Sequence, residues 1–213
     1  MRIGIGYDVH RFNGPARRGA GKRPLKLGGV TIPFARGLAG HSDADVLLHA
    51  VADALLGAIG APDLGEQFPP DDPRYRGADS RTFVAAAYAK VRRRGWSIGN
   101  VDATVIADAP QLSRYKAQIR QAISRLLDVA TSQISVKAKT TEGFSPSTGG
   151  IAAHAVVLLR KVRGSPTPAV HLRGGPGELG AQGKNRSRHS PQSPQLSPPR
   201  RARAVGRGAQ SKG

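Results

Sequence analysis

The sequence predicts an α+β fold, in which a small mixed β-sheet carries about three helices packed on one face. Segments in which apolar and polar residues alternate, as in strands, lie near both ends of residues 1–163, and helical segments lie mainly between them. The composition then changes abruptly. We therefore expect a folded domain at residues 1–163 of the 213-residue chain and a basic, disordered tail at residues 164–213.

The strands are indicated by short apolar segments. In the first, apolar residues alternate with Arg2, Gly4, Gly6, Asp8 and His10, which is typical of a half-buried strand. Residues 13–24 are a predicted loop, and residues 25–33 form a short strand entering a turn. Residues 101–107, 132–138 and 151–162 complete the predicted set.

Three helices are predicted from capping residues and apolar faces. The first covers residues 45–59, is opened by Ser42 or Asp43, and has Ser42 and Asp45 at capping-box spacing. The second covers residues 80–94, after a cap at Asp79 or Ser80. The third covers residues 113–128. The Pro- and Asp-rich residues 62–78 are predicted to be a loop.

The charge balance limits the possible partners. The chain has 33 Lys and Arg against 14 Asp and Glu, a net charge of +19, which suits nucleic acid, an acidic membrane surface or a phosphorylated small molecule. Much of the excess lies in residues 164–213, which hold 9 basic residues and 1 acidic residue and have no aromatic residue. A solvated extension is the simpler interpretation of this tail, and a nucleic-acid-binding arm is the alternative.

Two further features exclude classes of site. The chain has no cysteine, so any metal must be held by His and carboxylate groups. The most apolar window, residues 46–61, is interrupted by His49 and Asp53 and is too short to span a bilayer. We expect a cytoplasmic protein with no membrane partner.

A candidate metal site combines the first strand and the first helix. Asp8 and His10 are two residues apart in a strand, so both side chains leave the same face, which otherwise carries only Gly4 and Gly6. His49 lies in the helix among apolar residues. Two imidazoles and one carboxylate form a ligand set that leaves a fourth position open on zinc, and the same set suits ferrous iron. A hydrogen-bonded Asp–His pair and a buried histidine are the competing interpretations.

Two segments are candidates for binding phosphate. His41 and Ser42 precede the first helix, whose N-terminal amides would attract an anion, although Ser42 is also its predicted cap. Lys139, Thr140, Thr141 and Glu142 enter a loop rich in Gly and Ser, and a carboxylate there suits Mg²⁺ bridging phosphates. An ordinary polar loop is the alternative.

Taken together, these segments resemble one enzyme family. GYDVHRF, GHSDADVLLHAVADALLGA, APDLGEQFP, DPRYRGADSR, NVDATVIADAP, VKAKTTE and GGIAAHAVVLL occur in this order across residues 1–162. This pattern resembles the 2-C-methyl-D-erythritol 2,4-cyclodiphosphate synthases. The tail has no counterpart in the family pattern.

The resemblance implies a function and an assembly. It implies a lyase of the non-mevalonate route of isoprenoid biosynthesis, which converts 4-diphosphocytidyl-2-C-methyl-D-erythritol 2-phosphate to the 2,4-cyclodiphosphate and releases CMP. It further implies a homotrimer with active sites between neighbouring subunits.

The resemblance also implies roles for individual residues. Asp8, His10 and His49 would hold Zn²⁺ or another divalent transition metal, and Asp8 and His10 would also contact the substrate. His41 and Thr140 would stabilise the transition state, beside Ser42, Lys139 and Thr141, with Glu142 towards Mg²⁺ or Mn²⁺ on the substrate diphosphate. The methylerythritol phosphate would contact Asp63, Leu64, Gly65, Phe68, Asp71 and Asp72. The cytidine would lie among Ala107, Asp108, Ala109, Pro110, Gln111, Leu112 and Ser113. Phe144 would complete the substrate site.

The chain departs from the family pattern at two loops. After Glu142 the loop is two residues shorter, and the arginine expected near Ser147 is absent. The family's F-P-D-T-D is F-P-P-D-D at residues 68–72, so that one carboxylate is moved or lost. These changes leave an inactive relative as one alternative. A metal-dependent phosphohydrolase with the same three ligands and a basic nucleic-acid-binding protein are the others.

Overall fold

The computed structural model describes residues 1–14, 23–143 and 149–162. The predicted tail at residues 164–213, most of the loop at residues 13–24, and Phe144 therefore lie outside the described residues. Within the described part, no helix is long and apolar enough to cross a membrane.

In the part of the chain that the structure describes, a four-stranded mixed sheet organises the fold. Its strands are β1 (Arg2–Arg11), β4 (Trp96–Ile106), β5 (Ile134–Lys139) and β6 (Gly150–Lys161), in the order β1-β6-β4-β5. Strand β6 is antiparallel to both of its neighbours, whereas β4 and β5 are parallel. A separate hairpin pairs β2 (Leu25–Leu27) with β3 (Val30–Ile32). The mixed sheet agrees with the predicted fold class.

Among the described residues, four α-helices accompany the sheet. They are α1 (Val46–Ala58), α2 (Leu64–Gln67), α3 (Ser80–Arg93) and α4 (Lys116–Leu127). The three longer ones match the predicted helices within a few residues, except that Ser113–Tyr115 forms a 3₁₀ turn before α4. Within the predicted loop at residues 62–78, α2 and a 3₁₀ turn at Pro73–Tyr75 were not expected.

Helix α1 is central to the core, since nearly all of its residues are buried. It packs on β1 and β6 on one side and on α3 on another. Its burial on all sides explains why its sequence has few polar residues apart from His49 and Asp53.

Strand β1 turns its small residues inward and its large apolar residues outward. Gly4 and Gly6 face α1, whereas the opposite face of the strand is exposed. On that face Ile3 and Ile5 are about 70% accessible, and Tyr7 and Val9 are more than half accessible. The described part of the chain thus leaves an apolar sheet face open to solvent. We call this the outer β1 face.

Strand β4 starts earlier than predicted. The prediction began at residue 101, but the strand begins at Trp96 and contains a register shift between Ile98 and Asn100. In the sequence, Gly99 and Asn100 interrupt the alternating pattern in the way that a turn does. A β-bulge favours the same kinds of residue, so the sequence does not distinguish the two.

Candidate functional site

Asp8, His10 and His49 converge on one point at the contact between β1 and α1. The Asp8 Oδ2 atom lies 3.0 Å from His10 Nε2 and 2.9 Å from His49 Nδ1. The two ring nitrogens are 3.1 Å apart. Among the residues that the structure describes, this is the one group of three or more His, Asp or Glu side chains placed to share a metal ion.

The geometry of this cluster fits a divalent metal. Tetrahedral zinc with bonds of about 2.0–2.2 Å separates its ligand atoms by roughly 3.4 Å, only slightly more than the distances found here. Burial alone would raise the pKa of the Asp8 carboxyl, but its contacts with the His10 and His49 rings lower this pKa well below its ordinary value. The carboxylate therefore stays charged, as a metal ligand must.

His49 is held from both sides. Its Nδ1 faces Asp8, and its Nε2 lies 2.9 Å from Ser80 Oγ and 3.1 Å from Ser42 Oγ, both in buried residues. Ser80 is the first residue of α3, whose N-terminus is capped by Asp79. Sequence reasoning identified Ser80 only as a possible cap, because no local pattern relates residue 80 to residue 49.

The predicted cap at Ser42 is wrong. Asp45 caps α1 instead, since its side chain accepts a hydrogen bond from Leu48 N, whereas Ser42 Oγ accepts from Ala44 N. Asp45 is fully buried and also accepts from Gly28 N and Gly29 N. The Asp45 carboxylate therefore takes one of the amides at the N-terminus of α1, the end at which the sequence predicted a phosphate site.

A pocket of about 240 Å³ adjoins the metal cluster, and we call it the imidazole pocket. Predicted site residues line it, among them His41, which is exposed, Ser42, Leu64, Gly65 and Phe68. Asp53 accepts a hydrogen bond from Leu64 N at 2.8 Å and so fixes the start of α2 beside the pocket. The remaining lining includes Pro70, which lies in the predicted 68–72 loop, and three residues that the sequence did not indicate, Gly40, Tyr75 and Phe83.

The predicted carboxylates of the 68–72 loop and its neighbour Asp63 do not line this pocket. Asp72 caps the following 3₁₀ turn and forms an ion pair with Arg74 at 2.5 Å, and Asp71 is exposed. Asp63 is exposed and caps α2 by accepting from Glu66 N. The pocket wall here is aromatic instead, because the Phe68 ring packs against those of Tyr75 and Phe83.

A second pocket of about 260 Å³ lies at the carboxyl ends of the parallel strands β4 and β5, and we call it the strand-end pocket. Ligands in open sheets commonly bind at this edge. The predicted residues among its lining are Ala107, Asp108, Pro110, Gln111, Leu112, Ser113, Lys139 and Thr140. Lys116 and Ala138 also line it and were not predicted. Ala109 was predicted but does not line the pocket, and a cis peptide bond joins it to Pro110.

Thr141 and Glu142 lie beside the strand-end pocket. Both the amide and the hydroxyl of Thr141 donate to the Asp108 carboxylate at 2.8–2.9 Å, which ties the end of β5 to the end of β4. Glu142 is exposed, has a positive φ of 53°, and accepts a hydrogen bond from the Thr140 hydroxyl. The imidazole and strand-end pockets share no lining residue.

Comparisons with known proteins agree on one family. Residues 1–160 match the model of the YgbB family. The chain is 53% identical over 163 residues to the 2-C-methyl-D-erythritol 2,4-cyclodiphosphate synthase of Geobacillus kaustophilus, covering 76% of this chain and 99% of that protein.

Solved structures give the same result. The bifunctional IspDF of Campylobacter jejuni is 39% identical with a TM-score of 0.68, over 75% of this chain and 42% of that one. A CDP-bound form of 2C-methyl-D-erythritol-2,4-cyclodiphosphate synthase is 38% identical with a TM-score of 0.67, over 75% of this chain and all of that one.

Proposed function

Because the chain belongs to the YgbB family, we propose that it converts 4-diphosphocytidyl-2-C-methyl-D-erythritol 2-phosphate to 2-C-methyl-D-erythritol 2,4-cyclodiphosphate and CMP. This is a phosphorus–oxygen lyase reaction of the non-mevalonate route of isoprenoid biosynthesis. The convergence of Asp8, His10 and His49 beside a pocket is the structural observation that carries the proposal.

The reaction is an intramolecular phosphoryl transfer. An oxygen of the substrate's 2-phosphate forms a bond to the β-phosphorus, while the bond from that phosphorus to the bridging oxygen breaks and its electron pair leaves with CMP. The nucleophile and the electrophile are both anionic, so catalysis must align them and neutralise their charge. Alignment of groups already held in one molecule contributes up to roughly 7–11 kcal/mol. The reaction needs no protein nucleophile, which suits a chain without cysteine.

Asp8, His10 and His49 would hold a zinc ion or another divalent transition metal. Such an ion supplies a Lewis acid for the substrate's diphosphate oxygens. Around it, the protein's own groups orient the substrate. His41 at the mouth of the imidazole pocket is placed to donate a hydrogen bond to phosphate, while Phe68 and its aromatic neighbours exclude water from one wall.

The strand-end pocket would hold the cytidine. Its walls are formed by the segment that follows β4, and a wall rich in backbone groups can recognise a pyrimidine by fixed hydrogen bonds. Lys139 and Thr140 line the same pocket, and their ammonium and hydroxyl groups would contact the phosphates. Glu142, at the exposed rim, would contribute to a Mg²⁺ or Mn²⁺ site on the diphosphate.

A homotrimer would bring the two pockets together. We infer that a substrate spanning both would bridge the imidazole pocket of one subunit and the strand-end pocket of its neighbour, which agrees with two pockets that share no lining residue. Such a contact pairs two different surfaces, and three copies can close it into a ring. The outer β1 face supports assembly, because exposed apolar patches of this kind mark interaction surfaces.

A product assay tests the proposed function. The purified chain is incubated with the cytidyl substrate, Zn²⁺ and Mg²⁺, and the expected products are CMP and the cyclic diphosphate. A linear phosphomonoester would instead support metal-dependent hydrolysis, in which a metal-bound water is the nucleophile. His49→Gln should abolish both zinc binding and CMP release. Absence of CMP from a zinc-loaded, folded wild-type chain would contradict the proposal.

A further inference from the structure

A buried polar chain lies behind His49, on the side of the ring away from Asp8. Ser80 Oγ is 2.9 Å from His49 Nε2, and Ser80 has no accessible surface. The same Ser80 hydroxyl lies 2.5 Å from Oδ1 of Asp43, whose other oxygen accepts from Lys26 Nζ at 3.0 Å. Asp43 Oδ1 also accepts from the Ser80 amide at 3.1 Å, so one carboxylate fixes both the backbone and the side chain of Ser80.

The direction of each hydrogen bond follows from counting protons. A carboxylate paired with a lysine can only accept, so the single hydroxyl proton of Ser80 is donated to Asp43. The lone pair of Ser80 Oγ is then left facing His49 Nε2, where it can accept a proton but has none to give. Ser42 Oγ, 3.4 Å away, is the other possible donor to that lone pair, so a proton on Nε2 of His49 gives Ser80 the shorter of its two available hydrogen bonds.

The opposite side of the ring favours the other tautomer. Asp8 Oδ2 lies 2.9 Å from His49 Nδ1 and would attract a proton to that nitrogen. Ser42 Oγ, 3.1 Å from Nε2, has a hydroxyl proton that could stabilise the same unwanted state. A proton on Nδ1 would block the nitrogen that faces His10 and Asp8, so the Ser80–Asp43 pair opposes it.

We propose that Ser80 and Asp43 are positioning residues, which hold a proton on His49 Nε2 so that the Nδ1 lone pair is directed to a divalent cation shared with Asp8 and His10. The inference rests on the proposed function and deepens it. It assigns part of the affinity for the cation to two residues that do not touch the ion. Hydrogen bonds of this kind behind a metal-ligating histidine typically change metal affinity by about 10–100-fold.

The test measures zinc affinity by competition with a chromophoric chelator, and the Nε2 proton of His49 by long-range proton–nitrogen NMR of the zinc-loaded protein. In the wild-type chain we expect a protected Nε2 proton. Ser80→Ala should lower zinc affinity about 10–100-fold and expose that proton to exchange. Ser80→Thr keeps the hydroxyl and should restore both. Asp43→Asn should also weaken binding, because its amide can donate to Ser80 Oγ and release the serine proton towards His49.

The controls separate this role from general packing. Ser124→Ala removes another buried hydroxyl, which donates to Val129 O at 2.6 Å, and should leave zinc affinity unchanged. Wild-type affinity in Asp43→Asn, or loss of affinity in Ser42→Ala but not in Ser80→Ala, would overturn the inference. If Ser80→Ala does not fold, Asp43→Asn and Ser80→Thr still decide. A wild-type chain that binds no zinc would overturn the proposed metal site itself. Equal zinc binding by the wild type and the variants would overturn only the role of Ser80 and Asp43.

Discussion

The carbonyl oxygen of Ala50 in helix α1 lies so close to Gly6 in strand β1 that no side chain fits between the two backbones. Gly4 meets Ala54 and Ala58 in the same way, one helical turn further along. Two residues of a strand advance about 6.6–6.8 Å, and four residues of a helix advance about 6 Å, so successive contacts stay in register. The next step along β1 is Asp8, which meets His49. The glycines thus set the distance at which a strand and a helix contribute to one metal cluster.

A methyl group at Gly6 should therefore disrupt both the fold and the site. In Gly6→Ala the new Cβ would overlap the Ala50 carbonyl, and backbone atoms cannot move aside as a side chain can. We expect the free energy of unfolding to fall by about 3 kcal/mol or more, at or above the usual range for overpacking. Urea denaturation measures the loss, and zinc titration of the remaining folded protein measures the site.

Gly14→Ala is the matched control for this substitution. A Cβ at Gly14 would meet no atom of the described residues within 4 Å, so the free energy of unfolding of Gly14→Ala should stay unchanged or rise slightly. Equal stability of Gly6→Ala and the wild type would contradict the assigned backbone contact.

The sequence was sufficient to predict the pairing of Asp8 with His10, because alternation along a strand fixes which side chains share a face. It also indicated His49, a polar residue in an otherwise apolar helix. It could not place Ser80 and Asp43 behind His49, since their contacts depend on how α3 packs against α1. The outer β1 face was predictable as a set of residues, but not as an exposed surface. Beside Ile3 and Ile5 the opposite face carries the glycines at positions 4 and 6, and only the packing of α1 decides which of the two faces is covered.

Asp45 should contribute to the stability of the fold and not to catalysis. Its buried carboxylate accepts from the amides of Gly28, Gly29 and Leu48 and so joins the β2–β3 turn to the start of α1. In Asp45→Asn the side-chain amide would face a backbone donor, and one buried donor would lose its partner. We expect a loss of about 1–3 kcal/mol in urea denaturation. Asp128→Asn, at an exposed position with a left-handed backbone that asparagine tolerates, should change little.

The Asp79–Arg81 pair should make stability depend on acid pH. The hydrogen bond from Arg81 lowers the pKa of Asp79 from 3.8 to about 2. An acid whose pKa is lower in the folded state stabilises the fold above its unfolded pKa, and this contribution is lost as the pH falls from about 4 to about 2. Arg81 is exposed and Asp79 is partly exposed, so solvent screening limits the contribution of the pair to the free energy of unfolding to about 0.5–1 kcal/mol.

The measurement compares the wild type with Asp79→Asn, which keeps the helix cap but removes the charge. The difference in free energy of unfolding should be present at pH 7 and should disappear towards pH 2. A difference that stays constant across this range would show that the ion pair does not cause it.

A charge on the outer β1 face should prevent assembly. Ile5 is 69% accessible in the single chain, so Ile5→Lys is not expected to disturb the core, but its ammonium would lose hydration if another copy covered this face. We expect sedimentation to show a trimer for the wild type and a monomer for the variant, with zinc binding retained and CMP release lost. Ser132→Lys adds the same charge at an exposed position after α4 and should remain trimeric. An Ile5→Lys chain that still forms trimers would exclude this face as the interface.

Mixed trimers test whether the two pockets of one active site come from different subunits. His49→Gln removes a residue of the imidazole pocket, and Ser113→Trp places a large ring in the strand-end pocket, so each variant alone should release no CMP. When the two are unfolded together and refolded in equal amounts, random assembly should leave about one site in four with both pockets intact. CMP release should then recover to about a quarter of the wild-type rate. If both pockets of a site belonged to the same subunit, every site would contain one damaged pocket, and mixing the variants would restore no activity.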